Sequence, residues 1–146
     1  MLNWKEHIAK KRKQIDLKTK EINWLTGKKK SRRPIANKLL IYKAVMKRMW
    51  SYGIEQWGCA RKSNIVIMQR SQTKILRAIT NAPCHVRSRT LHTDFNIPTV
   101  FDVIHERINK NHNNLEAHPN PLLQPLTQRM NTRRLKRCWP FDLQGT

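Results

Sequence analysis

Apolar residues in the first part of the chain recur with the period of an α-helix. Over residues 3–26 they fall on one side of a helix, and six lysines are spread over the remaining positions. Asn3 is the predicted N-cap of this first helix, and Gly27 is its predicted end. The apolar side comprises Trp4, Ile8, Ile15, Ile22 and Leu25.

A second helix is predicted over residues 35–51. Pro34 suits its first turn and Gly53 ends it, because proline favours a helix start and glycine a helix stop. Residues 54–62, which include Trp57, are predicted to be a connector. The inward positions of the second helix are Leu39, Tyr42, Val45, Met46 and Met49.

A third helix is predicted over residues 64–80, with Ser63 as its cap. The sequence Asn81-Ala82-Pro83 ends it, since the residue before a proline avoids helical geometry. Its apolar face comprises Ile65, Met68, Ile75 and Ile79, with Leu76 at the edge.

The pattern after this break predicts one short helical turn and one longer helix. The turn covers residues 90–95, and Thr99 caps a fourth helix that runs to Ala117. The apolar side of the fourth helix comprises Val100, Val103, Ile104, Ile108 and Leu115. From His118 onward prolines fragment the chain, and they leave at most one short helix over residues 122–131.

Together these patterns predict an all-α fold, because sustained alternation and hairpin dipeptides are missing from the sequence. We expect a small bundle of about four helices over residues 1–118, followed by a flexible, basic, proline-interrupted tail over residues 119–146. No apolar run approaches the roughly 18 residues of a membrane span, and the N-terminus lacks a signal-peptide core. Cys59, Cys84 and Cys138 are widely spaced, which favours a reducing compartment. An intracellular location, in the nucleus or the cytoplasm, is therefore predicted.

The charge of the chain is strongly positive and unevenly distributed. Thirty Lys and Arg against nine Asp and Glu give a net charge of +21. Residues 1–33 carry twelve bases and three acids, residues 34–80 carry nine bases and one acid, and residues 81–118 carry four of each. An excess of this size destabilises a compact chain unless a polyanion neutralises it. We therefore expect RNA, DNA or an RNA–DNA hybrid as the partner, and the first half of the chain as its binding surface.

The predicted contact residues lie on the first helix, on the loop after it and on the next two helices. Lysine suits this role as a mobile point charge, and arginine can clamp a phosphate through two parallel hydrogen bonds. An ordinary solvated face is the alternative. The predicted nucleic-acid-binding residues are Lys10, Lys11, Arg12, Lys13, Lys18, Lys20, Lys28, Lys29, Lys30, Arg32, Arg33, Lys38, Lys43, Arg70, Lys74 and Arg77.

Three aromatic residues near the end of the second helix have two interpretations. Trp50, Tyr52 and Trp57 lie among basic residues such as Lys47 and Arg48. Aromatic side chains between bases can stack on unpaired nucleotides. At the end of a helix they more often close a small core, and we favour that interpretation.

The candidate ligands for a metal do not have the spacing of a structural zinc site. Cys84 and His85 are adjacent, while His105, His112 and His118 are separated by seven and six residues. The nine acids include no adjacent pair that would hold two divalent cations. Phosphate-loop, nucleophile-elbow and zinc-protease motifs are also missing. We therefore predict no metal site, no catalytic residue and no cofactor in this chain.

Ordered blocks of the sequence resemble jockey-like non-LTR retrotransposon reverse transcriptases. One block has the family's spacing of Gln69-Arg70, Gln72, Lys74 and Leu76-Arg77. The resemblance is to the region C-terminal to the catalytic palm, namely the thumb and the segment after it. It is carried by residues 2–8, 37–44, 50–58, 65–82, 91–100, 118–122 and 133–137.

The resemblance implies a helical unit that closes over a template–primer duplex. The implied parent activity is RNA-directed DNA synthesis with magnesium and deoxynucleotides, which belong to the missing palm. No catalytic aspartate of the family has a counterpart here, so we expect no polymerase activity from this chain alone, and the palm as a further partner. Arg48 and Cys84 depart from the family's usual proline and aromatic residue, and the Met1 start leads us to expect the product of a truncated insertion.

Two alternative functions remain open. One is a co-opted cellular nucleic-acid-binding protein without catalysis. The other is a basic membrane-surface or scaffold protein, in which Trp4, Ile8, Ile15 and Ile22 of the first helix would enter a lipid surface. We rank the membrane alternative last, because the same apolar side is needed to close a small core.

Overall fold

The computed structural model describes residues 4–26 and 33–123. Within those ranges the chain is helical and contains no strand, which confirms the all-α prediction. The segments are α1 (Trp4–Glu21), α2 (Asn23–Thr26), α3 (residues 35–51), α4 (Ile54–Trp57), α5 (Lys62–Thr80), α6 (Ser88–Asp94), α7 (Val100–Glu116) and a final 3₁₀ turn (Pro121–Leu123). The predicted helix over 122–131 and most of the predicted tail lie outside the described residues.

Helix α3 is one continuous rod with a π-helical turn at its centre. Ile35–Ile41 and Lys47–Ser51 are α-helical, and Tyr42–Met46 forms the wider turn between them. The buried positions of this rod are Lys38, Tyr42, Met46 and Trp50, which recur every four residues. In a pure α-helix such positions would rotate by about 40° at each step. The wider turn reverses part of that rotation, so all four side chains stay on the core side.

The core lies where α1, α3, α5 and α7 pack together, with α4 against α7. The fully buried Trp50 and Trp57 are its largest side chains, which confirms the core interpretation for these two residues. Other buried members come from the apolar sides predicted from the sequence: Ile8, Ile15, Tyr42, Met46, Ile65, Met68, Ile75, Leu76, Ile79, Val100, Val103, Ile104 and Ile108.

The boundaries of α5 and α7 follow the local sequence signals with one error. Thr99 caps α7 through a capping box, since its hydroxyl accepts from the Asp102 amide and the Asp102 carboxylate accepts from the Thr99 amide. Helix α5 ends at Thr80, where Asn81 adopts a left-handed conformation with φ of 57°. The prediction of Ser63 as its cap was wrong, because α5 already begins at Lys62.

Two further predictions needed correction. The first helix ends at Glu21 and the chain restarts as α2, because the Leu25 amide bonds to the Ile22 carbonyl three residues back. The predicted connector 54–62 contains the short helix α4. None of the described helices combines the length and the apolar character needed to span a bilayer.

Candidate nucleic-acid interface

The outward side of α1 carries a line of lysines. Ile8 and Ile15 face the core and are at most 2% exposed, and helical geometry places Lys10, Lys13 and Lys20 on the opposite side. The three lysines are exposed and cover about 15 Å along the helix axis. That length corresponds to about four base-pair steps of a duplex. This line is the most continuous cationic feature on a single described helix.

Two other predicted contacts on α1 are engaged in exposed ion pairs. Arg12 Nε lies 3.8 Å from Asp16 Oδ2, and Lys18 Nζ lies 2.7 Å from Glu21 Oε2. Exposed pairs of this kind contribute about 0–1 kcal/mol. A phosphate can therefore compete for both cations, although the neighbouring carboxylates weaken the local field.

Lys11 does not belong to this outward line, which corrects the prediction. It is only 9% exposed, and its ammonium donates a 2.6 Å hydrogen bond to the Tyr52 carbonyl. It lies over the rings of Tyr52 and Trp57, at 5.6 and 5.9 Å from their centroids. The sequence contained the relevant signal, since position 11 follows Ile8 by three residues and precedes Ile15 by four. The run of adjacent bases concealed that spacing.

Lys38 also leaves the predicted contact set. It is 7% exposed and lies one turn before Tyr42 on the core side of α3. A lysine buried in this position has no access to a phosphate on the molecular surface. Lys43, on the same rod, and Arg33, before α3, are exposed. The predicted contacts Lys28, Lys29, Lys30 and Arg32 lie outside the described residues.

Of the three predicted contacts on helix α5, two are exposed and one is a structural arginine. Arg70 and Lys74 lie four residues apart on its outward side and are exposed. Arg77 follows on the same side but is partly buried, and its Nη2 donates a 2.8 Å hydrogen bond to the Val86 carbonyl. It therefore connects α5 to the loop before α6, which leaves Arg70 and Lys74 as the phosphate candidates of this helix.

The electrostatic environment at the start of α1 is strongly positive. Partial burial lowers the pKa of His7, and the charges of Lys11 and Lys10 lower it further. Burial also lowers the pKa of the Lys11 ammonium. Both shifts have the sign expected where cations are crowded and incompletely hydrated. An anion placed here would relieve the repulsion between these groups.

The outward side of α7 differs from this basic surface. Arg107 and Lys110 are exposed there, but Asp102, Glu106 and Glu116 are exposed on the same helix. The charges on α7 are therefore mixed. Its exposed bases provide a natural comparison for those of α1.

A cleft of about 610 Å³ lies where α5, α6 and α7 meet. The imidazole that lines it is held by structural contacts: the two ring nitrogens of His92 contact Gln69 Nε2 at 3.0 Å and the Ile97 carbonyl at 2.9 Å. Within residues 4–26 and 33–123 no group of three or more His, Cys, Asp or Glu side chains could hold a metal ion. The described residues therefore do not fit the magnesium site of a polymerase.

Comparison with known proteins identifies relatives along nearly the whole chain. The chain is 37% identical over 142 residues to the probable RNA-directed DNA polymerase from transposon X-element of Drosophila melanogaster. It is 31% identical over 151 residues to the RNA-directed DNA polymerase from mobile element jockey of Drosophila funebris, and 32% identical over 136 residues to the probable RNA-directed DNA polymerase from transposon BS of Drosophila melanogaster.

These matches cover 93–97% of the chain but only 15–16% of each relative. No protein-family model matches the chain, and no solved structure matches it. The resemblance seen in the ordered sequence blocks is confirmed by these identities. The chain is thus a homologue of a short segment of the RNA-directed DNA polymerases from jockey and related Drosophila non-LTR elements.

Proposed function

We propose that this chain is a nucleic-acid-binding segment of a non-LTR retrotransposon reverse transcriptase, derived from the thumb and the region after it. Its substrate would be an RNA, DNA or RNA–DNA template–primer duplex, bound with little sequence preference. The catalytic aspartates, magnesium and deoxynucleotides would belong to the palm, so this chain alone would not synthesise DNA. It would act in the nucleus or the cytoplasm.

One observation carries the proposal: bases outnumber acids by seven to three on α1 and by four to none on α5, whereas α7 has two bases and three acids. Lys10, Lys13 and Lys20 form a line along α1, and α5 adds Arg70 and Lys74. Lysines on a rigid helix can neutralise successive phosphates and release counterions, which favours binding to any sequence. The names of the relatives support the same substrate class, since RNA-directed DNA polymerases act on nucleic acid.

The membrane alternative receives no support from the packing of α1. The apolar side chains that would enter a lipid surface include Ile8 and Ile15, which are buried in the core. Their exposure would require the bundle to open. The second alternative, a co-opted nucleic-acid-binding protein, differs from the proposal in its substrate preference. It would bind one nucleic-acid structure, such as an RNA–DNA hybrid, more tightly than duplex DNA.

A salt series measures the proposed binding directly. If six phosphates are neutralised on a duplex, log K should fall against log salt with a slope near −5. Replacement of Lys10, Lys13 and Lys20 with Gln should make the slope of log K against log salt less negative by about 2 to 3, since each phosphate contact contributes about −0.9 to that slope. The matched control removes the exposed Arg87, Arg107 and Lys110 in the same way and should change the slope by less than about 1.

Three results would contradict the proposal. The first is a wild-type slope near zero in dilute buffer. The second is an equal effect of the two triple variants, which would show that only net charge matters. The third is extension of a primed template by the purified chain with magnesium and deoxynucleotides, which would contradict the absence of catalysis.

A further inference from the structure

Tyr52 is an unusually exposed aromatic residue on a basic protein. Its side chain is 81% exposed, whereas Trp50 and Trp57, its aromatic neighbours in sequence, are buried. The turn between α3 and α4 produces this difference. Helix α3 ends at Ser51, Tyr52 is extended, and Gly53 adopts a left-handed conformation with φ of 65°. The turn leaves the Tyr52 ring at a corner of the bundle.

The backbone of Tyr52 is held in place from two directions. Its carbonyl accepts hydrogen bonds from Lys11 Nζ at 2.6 Å and from Trp57 Nε1 at 3.3 Å. Its amide donates to the Arg48 carbonyl at 3.1 Å, as the last bond of α3. An exposed ring on an anchored backbone loses little conformational freedom when it binds a ligand.

One face of the ring is already polarised by a cation. The Lys11 ammonium lies over Tyr52 at 5.6 Å from the ring centroid, so it draws electron density towards that face. The opposite face is therefore electron-poor and suited to stacking on an electron-rich heterocycle. Arg48 is exposed, and its carbonyl accepts the hydrogen bond from the Tyr52 amide, so its side chain is one helical turn from Tyr52 and can bind an adjoining phosphate. Glu55 is the acid closest in sequence to Tyr52.

From this geometry we infer that Tyr52 is a stacking site for an unpaired nucleobase at the end of a duplex. The inference rests on the proposed function and adds a specific contact to it. The base beyond the last pair would rest on the free face of Tyr52, and the adjoining phosphate would lie beside Arg48, one helical turn earlier in α3. Because every nucleobase has a π-face, the contact would recognise a duplex end without reading its sequence.

The test compares two substrates and three proteins. One substrate is an RNA–DNA hybrid with a one-nucleotide overhang, and the other is a DNA dumbbell closed by ethylene-glycol linkers, which has neither ends nor unpaired bases. Tyr52→Ala should weaken overhang binding about 5- to 150-fold, the range measured for loss of a base–aromatic stack. It should change dumbbell binding less than about twofold and leave the salt slope unchanged. Tyr52→Phe keeps the ring and should bind both substrates like the wild type.

A fluorescent base gives a second, independent measurement. With 2-aminopurine as the overhanging nucleotide, the wild type and Tyr52→Phe should quench its emission by stacking, and Tyr52→Ala should not. Leu40→Ala removes another strongly exposed apolar side chain and should behave like the wild type. If Tyr52→Ala loses its helical circular dichroism, Tyr52→Leu replaces it in both measurements, and the same loss of overhang binding and of quenching is expected.

The outcomes separate this inference from the proposed function. Salt-dependent binding by the wild type, with no quenching and no effect of Tyr52→Ala on the overhang substrate, would overturn the stacking site and leave the duplex-binding proposal intact. Failure of the wild type to bind either substrate would overturn both. Selective loss on the overhang substrate, together with quenching, would establish the stacking site.

Discussion

Gln69 accepts a 2.7 Å hydrogen bond from the Val100 amide through its Oε1 atom, and so connects the longest helix to the first turn of α7. The same side chain contacts His92 Nε2 through Nε2 at 3.0 Å. His92 Nδ1 lies 2.9 Å from the Ile97 carbonyl. For all three contacts to be hydrogen bonds, His92 must be neutral, with Nδ1–H donating and Nε2 accepting.

Gln69→Met should therefore destabilise the fold by about 2–3 kcal/mol, because it leaves the Val100 amide and the buried His92 ring nitrogen without partners. The two side chains have similar volumes, so packing changes little. Urea denaturation measures the effect. Gln56→Met, at an exposed position, is the control and should change stability by less than about 0.5 kcal/mol. An equal effect of both substitutions would contradict a structural role for Gln69.

Lys11→Met should destabilise the fold by about 1–2 kcal/mol. It removes a charge-assisted hydrogen bond to the Tyr52 carbonyl and the contact with two rings, and it also removes the cost of burying a cation. Lys10→Met, at an exposed position of the same helix, should leave the unfolding free energy within about 0.5 kcal/mol.

The binding data for these two variants should show the opposite order. Lys11→Met should keep the wild-type salt slope on a DNA dumbbell, because its ammonium faces a carbonyl and two rings. Lys10→Met should make that slope of log K against log salt less negative by about 0.9, as expected for one lost phosphate contact. A reduced slope for Lys11→Met, with stability unchanged, would restore Lys11 to the phosphate-contacting set.

These residues show which parts of the molecule were predictable from its sequence. The long helices follow from apolar positions at helical spacing, and Thr99 followed by Asp102 identified the start of α7. The four residues of α4 are too few to show a period. Lys38 lies four residues before the inward position Tyr42, but its burial was not predicted, because a lysine is rarely buried in a core.

The candidate site was predicted only in its general character. An excess of bases in the first half was evident from composition, but charge alone does not state which lysines face solvent. The burial of Trp57 and the exposure of Tyr52 depend on how Gly53 redirects the chain and on the docking of Lys11 from α1. Contacts between residues about forty positions apart determine that arrangement, so periodicity could not predict it.

Gly58→Ala should destabilise the fold for a steric reason. A Cβ atom at position 58 would lie 2.6 Å from the Ile54 carbonyl oxygen and 3.1 Å from Ile104 Cγ2. The first contact is with the backbone of α4 itself, so its relief requires a change in the conformation at the end of α4. The second contact is with α7, so its relief requires α4 to move away from that helix. We expect a loss of about 1–3 kcal/mol in urea denaturation, the usual cost of overpacking.

Gly53 provides the comparison for this substitution, because a Cβ there meets only Gln56 Oε1 at 3.9 Å. Its left-handed φ of 65° is tolerated by asparagine, so Gly53→Asn should cost less than about 1 kcal/mol. Full stability of Gly58→Ala would show that α4 and α7 are not packed as described.

Tyr42 should make the fold less stable at alkaline pH. Burial raises the pKa of its phenol above the ordinary 10.0, although the side chains of Gln72 and Trp50 oppose the shift. The folded state then holds the proton more tightly than the unfolded state. The resulting stability is fully present below pH 10.0 and is lost as pH rises through the folded-state pKa.

Tyr42→Phe should remove this alkaline loss. The Tyr42 hydroxyl is buried and makes no hydrogen bond of standard geometry, so its deletion should leave stability at pH 7 unchanged or raise it by up to about 1 kcal/mol. Urea denaturation from pH 7 to pH 11 measures both effects. Burial lowers the pKa of Lys11, so its own contribution to stability increases as pH rises towards 10.5.

Because Lys11 is present in both proteins, its contribution cancels when Tyr42→Phe is compared with the wild type. The exposed Tyr52 supplies the control, since Tyr52→Phe removes a hydroxyl that is not buried and should leave the alkaline loss as it is in the wild type. If Tyr42→Phe lost stability above pH 10 as steeply as the wild type, the Tyr42 phenol would not be the buried group responsible. A large loss for Tyr42→Phe at pH 7 would instead show that its hydroxyl makes a stabilising hydrogen bond in the core.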